Sequence, residues 1–251
     1  MRKIIFLLSL ILFSFPLTFA QLEDETNEDI VNDILTLYFQ TIGQDKLLKT
    51  NTYVTKGVMF QGSTEITYTS YNKRPMNYRL EAKFPNMEVV TVFNGDSGWV
   101  INPITGSSYA QPMEIDDIER SKLQADYDGM FYDYEKKGYT VEFIDKESVD
   151  FIEVYVLQLT TPNDDIITAY IDVQANVILK TTSHIMVDDA QEDYEVYYKD
   201  YKYVNNILMP YKIEMNVNGK LETRMVVSEI TFNVDIPDSM FQMPGSSDME
   251  Q

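Results

Sequence analysis

A dozen short extended segments follow one another along most of this chain, each closed by a tight-turn signal, and that succession rules out most architectures. They read as Thr52–Phe60, Glu65–Tyr71, Asn77–Lys83, Glu88–Asn94, Gly98–Asn102, Thr140–Glu147, Glu153–Thr160, Ile166–Asp172, Val177–Met186, Asp193–Tyr203, Leu208–Val217 and Glu222–Phe232. Gln61-Gly62-Ser63, Asn94-Gly95-Asp96, Pro162-Asn163-Asp164, Asn205-Asn206 and Asn218-Gly219 punctuate them. Alternation is clearest before the last of these turns, where Met209, Tyr211, Ile213, Met215 and Val217 take every second position. Connections this short allow only antiparallel pairing between sequence neighbours. A meander of that many strands has to curl as twist accumulates, since wide open sheets rarely stay flat.

Two stretches depart from the strand pattern. Near the N-terminus Thr26-Asn27-Glu28-Asp29 is a helix start, and Ile30, Val31, Ile34, Leu35, Leu37, Tyr38 and Ile42 form an apolar stripe that Gly43 ends. The second stretch, Pro103 to Gly138, opens on a turn and carries a weaker helical pattern over Met113–Ala125, with Ile115, Ile118 and Ala125 on one side and Asp116/Arg120 spaced as an ion pair. Several strands are apolar on both faces: Met87, Val89 and Phe93 oppose Val90 and Val92, and Ile152, Val154 and Val156 oppose Tyr155, Leu157 and Leu159. A sheet wetted on one side alternates cleanly, so part of this one is covered twice. The two helical stretches are the covers that the sequence offers. They look too small to fill a broad curved sheet, and an underfilled apolar concavity is a place for a lipid-like ligand.

Composition narrows the function. Met1-Arg2-Lys3, the apolar run from Ile4 to Phe15, Pro16 and Thr18-Phe19-Ala20 read as a secretory leader over 1–20, too short to span a bilayer. The remainder, 21–251, shows no linker or repeat and reads as one domain. The formal charge is −20, with 40 acidic against 20 basic residues. Such a balance disfavours nucleic acid and anionic headgroups, so any bound lipid must be held by apolar contact. There is no cysteine, which leaves stability to the core. The 18 tyrosines and 13 phenylalanines favour strands.

Little in the chain asks for catalysis or metal. His184 is the single histidine; with no cysteine beside it, neither the usual zinc site nor a Ser-His-Asp arrangement can be built. Gln124, Asp126, Asp128, Gly129 and Glu135 fall at calcium-loop positions, but the first position lacks its Asp and no helix follows. No catalytic or metal-binding residue is therefore named, and no cofactor is expected.

The segments Asn94-Gly95-Asp96-Ser97-Gly98-Trp99-Val100-Ile101-Asn102-Pro103-Ile104-Thr105-Gly106, Ala125-Asp126-Tyr127-Asp128-Gly129 and Asp133-Tyr134-Glu135-Lys136-Lys137-Gly138-Tyr139 resemble the LolA-like outer-membrane lipoprotein-sorting family. Thr41-Ile42-Gly43 before Lys46-Leu47-Leu48, then Asp200-Tyr201-Lys202 and Leu208-Met209-Pro210, continue the likeness in the same order. The resemblance implies a mainly β fold, a half-open antiparallel β-barrel of about eleven strands, with an N-terminal helix and a helical insertion covering the concave face. It also implies a monomeric periplasmic carrier or chaperone that receives the acyl chains of lipoproteins or lipids, delivers them toward the outer membrane and touches envelope membrane proteins transiently. Relatives that sense envelope stress keep open a signalling or structural module that binds a protein partner. No site residue carries over from the family. From residue type and position, Met59, Leu80, Val90, Trp99, Met113, Ile115, Ile118, Phe131 and Tyr132 are the candidates for lipid binding.

Overall fold

The computed structural model describes residues 26–187 and 190–245; the expected leader and the side chain of Asp116 lie outside them. Helix α1, Asn27–Ile42, begins with a reciprocal cap in which Asp29 N–H donates to Thr26 Oγ1 at 3.2 Å and Thr26 N–H donates to the Asp29 carboxylate at 3.1 Å. It ends at Gly43 in the left-handed region, with φ 75°. A side chain there would meet the carbonyl oxygen of Asn206 at 2.2 Å, so the residue has to be glycine on two counts. The short helix α2, Gln44–Leu47, follows directly.

Thirteen strands then form one antiparallel sheet among the described residues. They are β1 Thr52–Gln61, β2 Thr64–Lys73, β3 Asn77–Phe84, β4 Met87–Phe93, β5 Gly98–Asn102, β6 Ser107–Pro112, β7 Thr140–Val149, β8 Ile152–Thr160, β9 Ile166–Asp172, β10 Ile178–Val187, β11 Ala190–Val204, β12 Ile207–Val217 and β13 Lys220–Phe232. The order is β6-β5-β4-β3-β2-β1-β13-β12-β11-β10-β9-β8-β7. Every neighbour is a sequence neighbour except where β1 pairs with β13, which joins two meanders at the centre. The sheet does not close, so β6 and β7 are edges. This is the half-open antiparallel arrangement, two strands wider than the resemblance implies. Strand β6 escaped the sequence reading because Ser107-Ser108-Tyr109-Ala110-Gln111-Pro112 is polar and ends in proline, features that an edge strand tolerates.

The free edge of β7 is protected in two ways. Glu142, Asp145, Lys146 and Glu147 place charge along it. In addition, the Asn27 side-chain amide donates to the Phe143 carbonyl at 2.7 Å and accepts from the Phe143 N–H at 2.9 Å, doing the work of a neighbouring peptide.

Three clusters hold the sheet. Under α1, Val31, Ile34 and Leu35 pack on Leu157, Leu159, Ala169 and Ile171 together with Phe131. At the centre Leu47 and Tyr127 pack on Ile207, Val227, Ile230 and Phe232. Both lie on the concave face. The third cluster, Val54, Val90, Val92, Trp99 and Ala110, is sealed by Ile236 and Phe241. Residues directly opposed across antiparallel strands share a face, and Val54 alternates with Tyr53, whose ring touches Tyr127. This third cluster is therefore on the outer face. Its cover is the segment after β13, ending in the 3-10 turn Asp238–Phe241, and not one of the two helical stretches that the sequence singled out.

Candidate functional site

Strand register defines the floor of the concavity. Ile66, Met59, Met225, Ile213 and Tyr198 are opposed in turn across β2, β1, β13, β12 and β11. Met215, opposed to Val196, continues the apolar surface. Ile66 is buried, yet Met59, Met225, Ile213, Met215 and Val196 are each only half-buried. Apolar side chains on the inside of a curved sheet that keep this much accessible surface mean that the cover does not fill the space above them.

The cover has a fixed part and a slighter part. The fixed part is α1, α2 and the segment 126–138, tied down by Arg74. Its guanidinium donates two hydrogen bonds of 2.6 Å to the two carboxylate oxygens of Asp128, one of 2.7 Å to the Thr50 carbonyl and one of 3.2 Å to the Leu47 carbonyl. It also sits 4.3 Å from the centre of the Tyr127 ring, whose hydroxyl is 2.7 Å from that of Thr50. The acidic loop that carries calcium-like spacing is thereby accounted for: Asp128 belongs to Arg74, Asp126 accepts from Lys137 at 2.6 Å, and Glu135 is exposed. Among the described residues no group of three or more His, Cys, Asp or Glu side chains is placed to hold a metal ion.

The slighter part is α3, Ile115–Ala125, which lies against β3 and β4. Its buried side is Ser121 and Ala125, with Ile118 half-buried on the same stripe. Arg120 pairs with Asp117. On its far side Arg120 and Leu123 face Ile167, Ser183 and Ile185 across a cleft of about 390 Å³ that also touches Asn163 and Asp165. His184 stands at this rim, exposed, with Nδ1 2.7 Å from Asp193. The helix thus spans from the β3–β4 wall toward the ends of β9 and β10.

The candidate residues separate by face. Met59 and Leu80 are on the concave wall, Leu80 opposed to Ser70 and Thr91. Met113 packs its sulfur where a side chain on Gly98 would stand, 2.2 Å from that position, and Ser121 Oγ donates to it at 3.7 Å. Ile118 is on the cover. Ile115 is 66% exposed at the start of α3. Phe131 is buried beneath α1 against Tyr38, and Tyr132 stacks edge-on to Phe39, so both belong to the packed cover. Val90 and Trp99 lie on the outer face; Trp99 is 3% exposed, with its indole N–H directed at the Phe241 carbonyl at 3.4 Å. Ile236 and Phe241, in a segment that the sequence does not mark as a cover, pack over them there. The floor residues missed, Ile213 and Met215, were legible in the alternation that ends at Asn218-Gly219.

An open antiparallel half-barrel with helices over its concave face is a fold that this chain shares with solved structures of LolA-like proteins. A LolA superfamily protein from Nitrosomonas europaea superposes with a TM-score of 0.58 at 16% identity, covering 84% of this chain and 97% of that one. A DUF1329 family protein from Desulfovibrio piger gives 0.59 at 13% identity, with 86% and 99% covered. A domain assigned to outer-membrane lipoprotein sorting from Vibrio parahaemolyticus gives 0.53 at 13%, with 80% and 95% covered. At such identities the likeness is one of fold. No curated protein matches the sequence. The profile of a family described as "Uncharacterized protein" matches residues 109–244, more than half of the chain, and the chain belongs to that family.

Proposed function

We propose that this protein is a periplasmic carrier or chaperone that takes the acyl chains of a lipoprotein or lipid into its concavity and carries them toward the outer membrane, performing no chemistry. One observation carries the reading: the floor formed by Met59, Met225, Ile213 and Met215 is apolar, faces inward and is left half-exposed beneath an incomplete cover. Each methylene buried there contributes roughly 0.8 kcal/mol, so a few chain carbons suffice for useful affinity. Thioether side chains adapt to chains of differing shape. The LolA-like fold and the leader-like N-terminus support the compartment and the class of cargo. Met59, Leu80, Met113 and Ile118 are the sequence-derived candidates that this reading keeps as lining.

Native mass spectrometry of protein purified from cells, followed by titration with a fluorescent acyl probe, tests the reading. A saturable one-to-one site emptied by a diacylated peptide is the expected result. Absence of retained lipid together with no probe uptake would refute the carrier reading and favour a module that binds a protein partner.

A further inference from the structure

The concave face is not uniformly apolar. Across β13, β1, β2, β3 and β4 the opposed residues run Phe232, Tyr53, Asn72, Tyr78 and Phe93. Three consecutive members of that row carry hydrogen-bonding groups, with side chains about 4.5–5.5 Å apart at their first carbons. Asn72 is 2% exposed, and no hydrogen bond of its side-chain amide is found among the described residues. The hydroxyls of Tyr53 and Tyr78 are likewise unpartnered, as is that of Tyr68, two residues from Ser70 on the same face of β2 and 4% exposed. Gly57 explains how Tyr68 fits: a side chain at Gly57 would stand 2.8 Å from the Tyr68 ring and 2.9 Å from its hydroxyl, so the ring lies across bare backbone.

Buried polar groups in folded proteins almost always have a partner, because leaving one unmet is costly. Among the described residues the one side-chain polar atom that is both fully sealed and unpartnered is Gln44 Oε1. The groups of the Tyr53–Asn72–Tyr78 row are not among such atoms, so, unpartnered, they keep some accessible surface. Charge is absent from this wall. Lys56, Lys73 and Lys83 are on the outer face by strand parity, and Arg74 is committed to Asp128. Burial pushes the Tyr53 and Tyr78 phenols well above their ordinary value and the Tyr68 phenol up to about 12, so all three stay protonated and able to donate.

We infer that Tyr53, Asn72 and Tyr78, with Tyr68 beside them, form a hydrogen-bonding subsite for the uncharged ester or amide linkage of an acylated ligand. Phosphate and carboxylate are poorly matched, since no cation faces the row. An ester carbonyl accepts from the phenols, and an amide also donates to the Asn72 oxygen. The same face of β1 continues from Tyr53 through Thr55 and Gly57 to Met59, so a linkage held at the row directs its hydrocarbon onto the apolar floor. This inference rests on the acyl-binding reading and specifies which part of the ligand is recognised.

The test compares two probes on the purified protein: a pyrene-labelled diacylglycerol, and a pyrene-labelled alkane of matched length with no ester. Asn72→Leu, and separately the Tyr53→Phe, Tyr78→Phe double variant, should each weaken the ester probe about tenfold. The alkane should bind unchanged or more tightly. Urea unfolding supplies the second readout: Asn72→Leu replaces an unpartnered amide at a nearly buried position and should leave the midpoint equal or raised. Equal losses for both probes, or a lowered midpoint in Asn72→Leu, would show a structural role and overturn the subsite. Unchanged binding of both probes by the variants would overturn the subsite while leaving the carrier reading intact. Failure of the unmodified protein to take either probe would overturn both.

Discussion

Replacing Arg74 with alanine should destabilise the protein by about 2–4 kcal/mol. A hydrogen bond to a charged group contributes about 1.5–3 kcal/mol, and Arg74 makes two such bonds to Asp128 as well as donating to the carbonyls of Thr50 and Leu47. Contact with the Tyr127 ring adds roughly 0.5–1 kcal/mol. Removing one partner of a fully buried pair costs about 3–5 kcal/mol. Here the two side chains keep 24% and 20% of their surface exposed, so water recovers part of that loss. The measurement is urea unfolding followed by far-UV circular dichroism, with the midpoint read at constant slope. A double-mutant cycle with Asp128→Asn should return a coupling of at least about 1 kcal/mol, because the two groups are in direct contact. Arg74→Lys should recover little, since an ammonium cannot reproduce the planar fork that reaches both carboxylate oxygens and two carbonyls. A loss below about 0.5 kcal/mol in Arg74→Ala, or strict additivity with Asp128→Asn, would refute the argument that this clip fastens the fixed part of the cover.

Further expectations concern the floor, the outer face and the helix above the trough. Gly57→Ala places a carbon 2.3 Å from the Val226 carbonyl oxygen and 2.8 Å from the Tyr68 ring, and should cost more than about 2 kcal/mol in the same unfolding assay. Glu214 is held down to about 2 from 4.5, most by Lys199, with burial opposing and Arg224 and Lys212 assisting. Its contribution is complete above pH 4.5 and disappears as the pH falls from there to about 2; after allowance for screening of the partly exposed cations it amounts to about 1–2 kcal/mol, and Glu214→Gln should flatten that limb of the stability profile. Phe241→Ala should cost about 3 kcal/mol and shift Trp99 emission to the red, whereas a saturating acyl probe should leave that emission in place; the opposite pattern would put Trp99 in the binding site. Ile118→Asp should weaken the acyl probe about fivefold with an unchanged circular dichroism spectrum, and unaltered affinity would remove α3 from the cover.

The local elements of this protein were legible in the chain because each is set by neighbours in sequence. Thr26 and Asp29 cap α1, Gly43 ends it, and Asn218-Gly219 adopts the paired left-handed conformations, φ 50° and 75°, that reverse β12 into β13. The period-2 patterning likewise placed twelve of the thirteen strands and predicted that part of the sheet is covered on both faces. Tertiary structure alone decided which face is concave. Val90 and Val92 are as apolar as Val89 and Phe93, and period 2 separates two faces without saying which one a helix will meet. That was settled by the turn of the chain after β13, which lays Ile236 and Phe241 over Trp99 on the outside and leaves Met59 and Leu80 on the inside. The polar row is the clearest case. Tyr53, Asn72 and Tyr78 are separated along the chain and carry no motif, and only strand register aligns them, because pairing across a sheet is a contact between distant segments that no local periodicity encodes.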